Sequence, residues 1–461
     1  MSGGATSVDI AELVADTKLG KQHIAILLLS ALMVFIDGFD MSTAGVAAPS
    51  LLKAFHGDKA AMGTIFGASY AGILVGCWVF GYVGDRWGRK WGSIWSCVVY
   101  GLPSLLITQA TSLDQILYLR FLVGIGLGGV MPTTLALLAE SAPKRYRASF
   151  AMLALFGFPL GGAMVGQVGA HFIPSFGWQV VFYTAGIGGL ALSAALIFIL
   201  PESLQFLALH KPNSPELRRR AQRFAPERVF GPETRFFVKR EEKPKGLMVA
   251  ELFKGKERMA TILLWTAYFF EGLTYITLAN WMAVVLQDVG LSQYDSLTTV
   301  SYASAGGILV AICLMRPLDK IGPMASVVSA IVAIAAIIVL GTPGVPQLAI
   351  MAAAIAAHSF CSGTHTSLNG TVALFYPTRM RSNGIGWASA LGRVSSIIGP
   401  IIVGKLFAAH VPLQWVLYGL TLPYVVLIGT SILLGRLYVR NYSQPESAAP
   451  AAALKVAPAA E

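Results

Sequence analysis

Charge is scarce in this chain. Lys, Arg, Asp and Glu together make up 12% of its 461 residues, against 55% hydrophobic residues. So little polar surface cannot keep a soluble fold of this length in water, which excludes an ordinary cytosolic enzyme or scaffold and points to a membrane protein. Cysteine is equally thin. Cys77, Cys97, Cys313 and Cys361 stand apart from one another inside apolar stretches. They offer neither metal-ligand spacing nor a disulfide framework and read as small packing residues, so no metal is expected. The first twenty-three residues lack a compact apolar core ahead of a small-residue cleavage site, so the first apolar run is expected to be retained as a helix.

What the sequence does have is long apolar runs. Twelve spans are predicted near 24–46, 61–83, 91–110, 115–138, 149–171, 178–200, 259–286, 297–316, 323–341, 346–375, 383–406 and 414–437. Each is close to the roughly 20 residues a helix needs to cross a bilayer. Basic residues follow every second span: Arg86, Arg89 and Lys90; Lys144, Arg145 and Arg147; a long basic segment; Arg316 and Lys320; Arg379 and Arg381. The alternate loops hold little more than Lys53, Lys59 and Lys405. By the positive-inside rule this predicts a multi-pass membrane protein with both termini in the cytoplasm. The formal charge of +11 is largely this topological signal and is not read as nucleic-acid binding.

Inside the first span sit two acids, Asp37 and Asp40, three residues apart and therefore on one side of a helix. A carboxylate at that depth costs about 2.5–3.5 kcal/mol even on lenient insertion scales, so such groups face a protein interior or an aqueous path and serve ion or proton movement. Transport is the function class this implies. The chain also repeats itself 234 residues on: Asp85 at Asp319, Pro143, Arg145 and Arg147 at Pro377, Arg379 and Arg381, and Asp37-Gly38 at Glu271-Gly272. Three matches at one offset predict two homologous six-helix halves with a site between them. The expected layout is residues 1–200 as the first half, 201–258 as a linker, 259–440 as the second half and 441–461 as a disordered Ala- and Pro-rich tail. The linker carries fourteen Lys or Arg against eight Glu and is expected to be a solvated connector touching anionic lipid headgroups.

Three motifs carry a resemblance. Gly81-Tyr82-Val83-Gly84-Asp85-Arg86-Trp87-Gly88-Arg89-Lys90 resembles the signature loop between helices 2 and 3 of the major facilitator superfamily. Arg120 followed by Gly124-Ile125-Gly126-Leu127-Gly128-Gly129 resembles the helix 4 motif of its proton-coupled members. Asp37-Gly38-Phe39-Asp40 is similar to the helix 1 motif of the aromatic acid:proton symporter family, with Glu140, Arg381 and Arg393 at family-like spacing. The second signature loop departs from the pattern, with Met315 in the first glycine position and Pro323 in place of a basic residue. The resemblance implies an all-α membrane protein of twelve transmembrane helices in two pseudo-symmetric halves. It also implies a monomeric secondary transporter for a small aromatic acid, powered by the proton gradient without a cofactor.

Candidate roles follow from position and chemistry. At 1.5 Å rise per residue Asp37 and Arg120 reach similar heights and could pair, so Asp37, Asp40 and Arg120 are the expected proton-coupling set. Arg393, with its planar fork, is the candidate for a substrate carboxylate. Glu271 lies at a similar depth. Phe39, Tyr268, Tyr275 and Trp387 could stack on a ring, and His358 or His365 could bond a phenolic hydroxyl. Gly81, Asp85, Arg86, Gly88, Arg89, Glu140, Arg145, Arg147, Asp319 and Arg381 form the expected cytoplasmic gate, whose ion pairs would hold the inner side shut. No nucleophile–base set argues for an enzyme. A proton-coupled carrier for another organic anion or a sugar, and a drug:proton antiporter, remain as alternatives.

Overall fold

A computed structural model describes residues 7–212, 214–231, 233–239, 248–255, 257–376 and 378–441. The expected disordered tail, 442–461, lies outside the described residues. Twelve long helices fall into two sixes. The first six are α1 Lys21–Ala54, α2 Lys59–Trp87, α3 Arg89–Ile107, α4 Leu113–Ser141, α5 Gly157–Phe176 and α6 Gln179–Ile199. The second six are α7 Glu257–Asp288, α8 Gln293–Ile321, α9 Met324–Gly341, α10 Gln347–Phe375, α11 Thr378–Ala408 and α12 Leu422–Asn441. Two of the predicted spans are broken. A short helix, Arg147–Leu155, precedes α5, and another, Leu413–Gly419, precedes α12.

Among the described residues, eleven helices are long and apolar enough to cross a membrane. The exception is α3, which has 19 residues and opens on Arg89 and Lys90. Its length still spans about 28 Å. Its polar residues turn inward: Ser96 Oγ donates to the Gly126 carbonyl at 2.6 Å and Ser104 Oγ to Asp40 Oδ2 at 2.8 Å. Its low hydropathy thus reflects a helix packed between α4 and α6.

Small residues set how closely the helices approach, as is usual where lipid removes the hydrophobic drive between helices. A Cβ added to Gly128 of α4 would stand 2.8 Å from the Cα of Gly76 on α2, so these two helices meet backbone to backbone. The halves touch mainly at the end remote from the termini. There Lys59 pairs with Asp288 at 2.5 Å and lies over the Phe407 ring at 4.8 Å, and Phe66 meets Trp281 edge-on at 5.3 Å. At the other end, a Cβ on Gly81 or Gly386 would meet nothing within 4 Å. The two sixes are closed at the distal end and parted toward the face that bears the termini and the linker.

That linker is not a bare solvated connector. It forms the helices Leu204–His210 and Pro215–Phe224, and strand β2, Arg235–Phe237, pairs in parallel with β1, Ser7–Asp9. A further helix, Ile10–Asp16, buries Ile10, Leu13 and Val14, while the linker buries Leu207, Leu217, Ala221 and Phe236. The Pro215–Phe224 helix explains why: Arg218, Arg219 and Arg220 occupy its polar side while Leu217, Ala221 and Phe224 recur at helical spacing on the other. The basic charge clothes a small packed module.

Candidate functional site

A cavity of about 210 Å³ lies between the halves, and the internal repeat is written into its walls. Asp37 and Glu271, Met131 and His365, and Phe158 and Gly392 all line it, each pair separated by the same 234 positions. Equivalent faces of the two halves therefore converge on one space. Tyr70, Tyr268 and Arg393 complete its polar rim.

The two acids of α1 have separate fates. Asp40, fully buried, is the partner of Arg120: Arg120 Nη1 donates to Asp40 Oδ1 at 2.9 Å, and the two side chains are 1% and 0% exposed. Ser104 donates to the other carboxylate oxygen, Thr43 Oγ1 to Oδ1 at 3.2 Å, and Arg120 Nε donates to Ser69 Oγ at 3.0 Å. Burial of an ion pair is tolerated only when the remaining lone pairs and protons are satisfied in this way. The expected pairing of Arg120 with Asp37 is not the one formed. Asp37, 4% exposed, makes no hydrogen bond among the described residues, lines the cavity and lies within electrostatic reach of Arg393 on the opposite half. Arg393 Nη1 in turn donates to the Cys77 thiol of α2, which donates to the Gly128 carbonyl at 3.1 Å.

In the second half, His365 Nδ1 lies 3.1 Å from Glu271 Oε2. Its ring stacks on Tyr275 at 5.7 Å and meets Tyr268 edge-on at 6.4 Å. Tyr268 Oη donates to Asn369 Oδ1 at 2.8 Å. Tyr275 and His358 line a smaller hollow of about 50 Å³ deeper toward the closed end. Two further expected contacts line neither space. Phe39 is buried, 4% exposed. Trp387 is 42% exposed and stacks on Trp265 at 6.3 Å.

At the linker face, Arg89 bonds both Asp85, at 2.7 Å, and Glu140, at 3.0 Å. Glu140 also accepts from Ser203. Gly88 has φ +101°, a backbone conformation that calls for glycine, and the Glu202 carboxylate fills the space where a Cβ would stand. Glu202 accepts from the backbone amides of Lys90, at 3.2 Å, and Ser203, at 3.0 Å. Burial holds its carboxyl above the ordinary value, and those amide bonds offset part of the rise. The cluster joins the first half to the start of the linker and does not reach the second half. Arg86 instead reaches Tyr82, Arg145 lies over the Tyr146 ring, and Arg147 is exposed. Asp319 is exposed and makes no ion pair among the described residues. The side chain of Arg381 lies outside the described residues.

Sequence reasoning missed Glu202, Ser69, Ser104, Tyr70 and Cys77. Glu202 has no motif, and only its position at the end of α6 beside a basic turn could have flagged it. Ser69 carried a signal, since it belongs to the small-residue row Ser69, Gly72 and Gly76 that faces the glycines of α4.

Two helical sixes around a cavity with a charged wall from each define a polytopic membrane carrier. The comparisons name the kind: residues 30–356 match the Major Facilitator Superfamily, and the chain belongs to it. It is accordingly a transport protein and not an enzyme. It is 32% identical to the 4-hydroxybenzoate transporter PcaK of Acinetobacter baylyi, over 91% of this chain and 92% of that one. It is 30% identical to the gallate transporter of Pseudomonas putida, over 90% and 92%. Among solved structures, a bacterial homologue of the human lysosomal transporter Spinster, inward-facing and occupied, superposes with a TM-score of 0.70. The two share 16% identity, and the superposition covers 93% of this chain and 100% of that one. That likeness concerns the fold.

Proposed function

We propose that the protein imports an aromatic carboxylic acid together with protons across a bacterial inner membrane by alternating access. The observation that carries this reading is the cavity that brings Asp37 of one half and Arg393 of the other to a common space. In the proposed cycle Arg393 holds the substrate carboxylate, Asp37 takes the proton, and Asp40 with Arg120 fixes the helix that presents Asp37. A guanidinium suits a carboxylate because its parallel N–H groups match the two oxygens. The relatives' substrates, 4-hydroxybenzoate and gallate, support an aromatic acid.

The positive-inside pattern makes the linker face cytoplasmic, so the arrangement described is open inward. Lys59 with Asp288 then belongs to the outer closure, and Asp85, Arg89 and Glu140 to the inner gate when the halves rock. The proton gradient supplies the energy, and the unit of transport is the monomer. The test is uptake of labelled 4-hydroxybenzoate into proteoliposomes with an imposed pH gradient. Arg393→Ala should weaken apparent affinity about tenfold or more, the equivalent of one charge-assisted hydrogen bond. Asp37→Asn should abolish accumulation that depends on the gradient. Normal uptake by both variants would overturn the assignment, and outward, cation-selective movement would favour an antiporter.

A further inference from the structure

The second half holds a polar group that the proposed cycle leaves idle. Glu271 is 2% exposed, yet its Oε1 has no hydrogen-bond partner among the described residues. Its Oε2 accepts from His365 Nδ1. A carboxylate only accepts, so this bond puts a proton on Nδ1, and in the neutral imidazole the lone pair is then on Nε2. The His365 side chain is 43% exposed, against 2% for Glu271, and the two line the cavity that Arg393 also lines. The ring is fixed on its faces and edges by Tyr275 and Tyr268. Nε2 makes no bond to the described residues. The cavity therefore has a cationic element that suits a carboxylate and, apart from it, an oriented imidazole edge that can hydrogen-bond a hydroxyl.

We propose that His365, positioned by Glu271, accepts a hydrogen bond from a ring hydroxyl of the transported acid, so that the site selects ring-hydroxylated over unsubstituted aromatic acids. The proposal rests on the aromatic-acid reading above and adds a specificity residue to it. His365 touches substrate; Glu271 acts through His365. A site built to bond a hydroxyl rejects an analogue that lacks it, because the acceptor, cut off from water once the halves close on the substrate, is then left unpaired, and the penalty far exceeds that of a missing methylene.

The experiment compares initial uptake of benzoate, 3-hydroxybenzoate and 4-hydroxybenzoate by the full chain in proteoliposomes under one pH gradient. The parent should prefer at least one hydroxylated acid by about tenfold or more. His365→Ala should lower uptake of the preferred hydroxylated acid relative to benzoate by about tenfold, the ratio of the two rates being the readout, and benzoate uptake above that of empty vesicles serves as the control for folding. Glu271→Gln keeps an oxygen acceptor for Nδ1 and should retain most of the preference, whereas Glu271→Leu should lose it. His365→Gln, which keeps size and an acceptor, covers the case in which His365→Ala does not fold. Equal loss for all three acids, or a parent that does not discriminate, overturns the proposal while leaving the aromatic-acid reading intact. A parent that carries none of the three overturns both.

Discussion

The two halves descend from one pattern but handle charge in opposite ways. In the first, Asp40 and Arg120 form a sealed pair with every acceptor engaged. Their counterparts 234 positions on are Thr274, which donates to the Leu420 carbonyl at 2.8 Å, and Ala354, fully buried. The second half keeps only the counterpart of Asp37, Glu271, and pairs it with a half-exposed histidine. A duplicated scaffold thus holds a rigid charged strut on one side of the cavity and an adjustable polar group on the other. Symmetry supplies the space, and departures from symmetry supply the chemistry.

The largest expected effect probes the strut. Arg120→Met strands Asp40 without its partner and should destabilise the protein by about 3–5 kcal/mol, read as a lowered Tm in detergent. Arg120→Met with Asp40→Leu should recover most of that loss, and a single variant that melts like the parent would erase the contrast between the halves. Next comes packing. Gly128→Ala forces a methyl group against the α2 backbone and should cost about 1–3 kcal/mol. Ser362→Ala, at the equivalent position of the second half, should shift stability by about 0.5 kcal/mol or less. Chemical denaturation of the two variants side by side sharpens the comparison.

The smallest effect concerns Glu202, whose counterpart at the same offset is Arg436. Its folded carboxyl titrates above its unfolded value, so its contribution to stability is fully present below the unfolded value and is lost as pH rises through the folded one. The parent should therefore lose some stability as pH rises above the ordinary carboxyl value, about 4.3, and through the raised folded one. Glu202→Gln should flatten that slope. A Tm series across pH on both proteins is the measurement, and identical slopes would remove Glu202 from the account.

Much of this was legible in the residues. Buried acids, basic alternate loops and a fixed repeat offset gave the architecture and placed Asp37, Glu271 and Arg393 on the cavity wall. The choice between Asp37 and Asp40 was not legible. Three residues on a helix differ by about 60° in direction, and which acid meets Arg120 depends on how α1 is rotated against α2 and α4. Phe39 and Trp387 were misjudged for the same reason, since depth along a helix says nothing about the direction a ring faces. The linker was misread because its charge is conspicuous and its apolar side is only one helix turn wide.

The small sheet has a mechanical corollary. Because β1 and β2 fasten the amino-terminal segment to the linker, and Ser203 ties that module to Glu140, the chain is anchored to the first half as far as Phe237. It is held again from the helix Met248–Leu252, where Leu252 is buried and its carbonyl accepts from Thr261 of α7 at 2.7 Å. Only residues 238–247 bridge the two anchorages, and ten residues reach at most about 35 Å even when drawn taut. What looks in the sequence like a leash of 58 residues is pinned to the first half up to Phe237 and to α7 from Leu252, so most of its length cannot pay out when the two halves part.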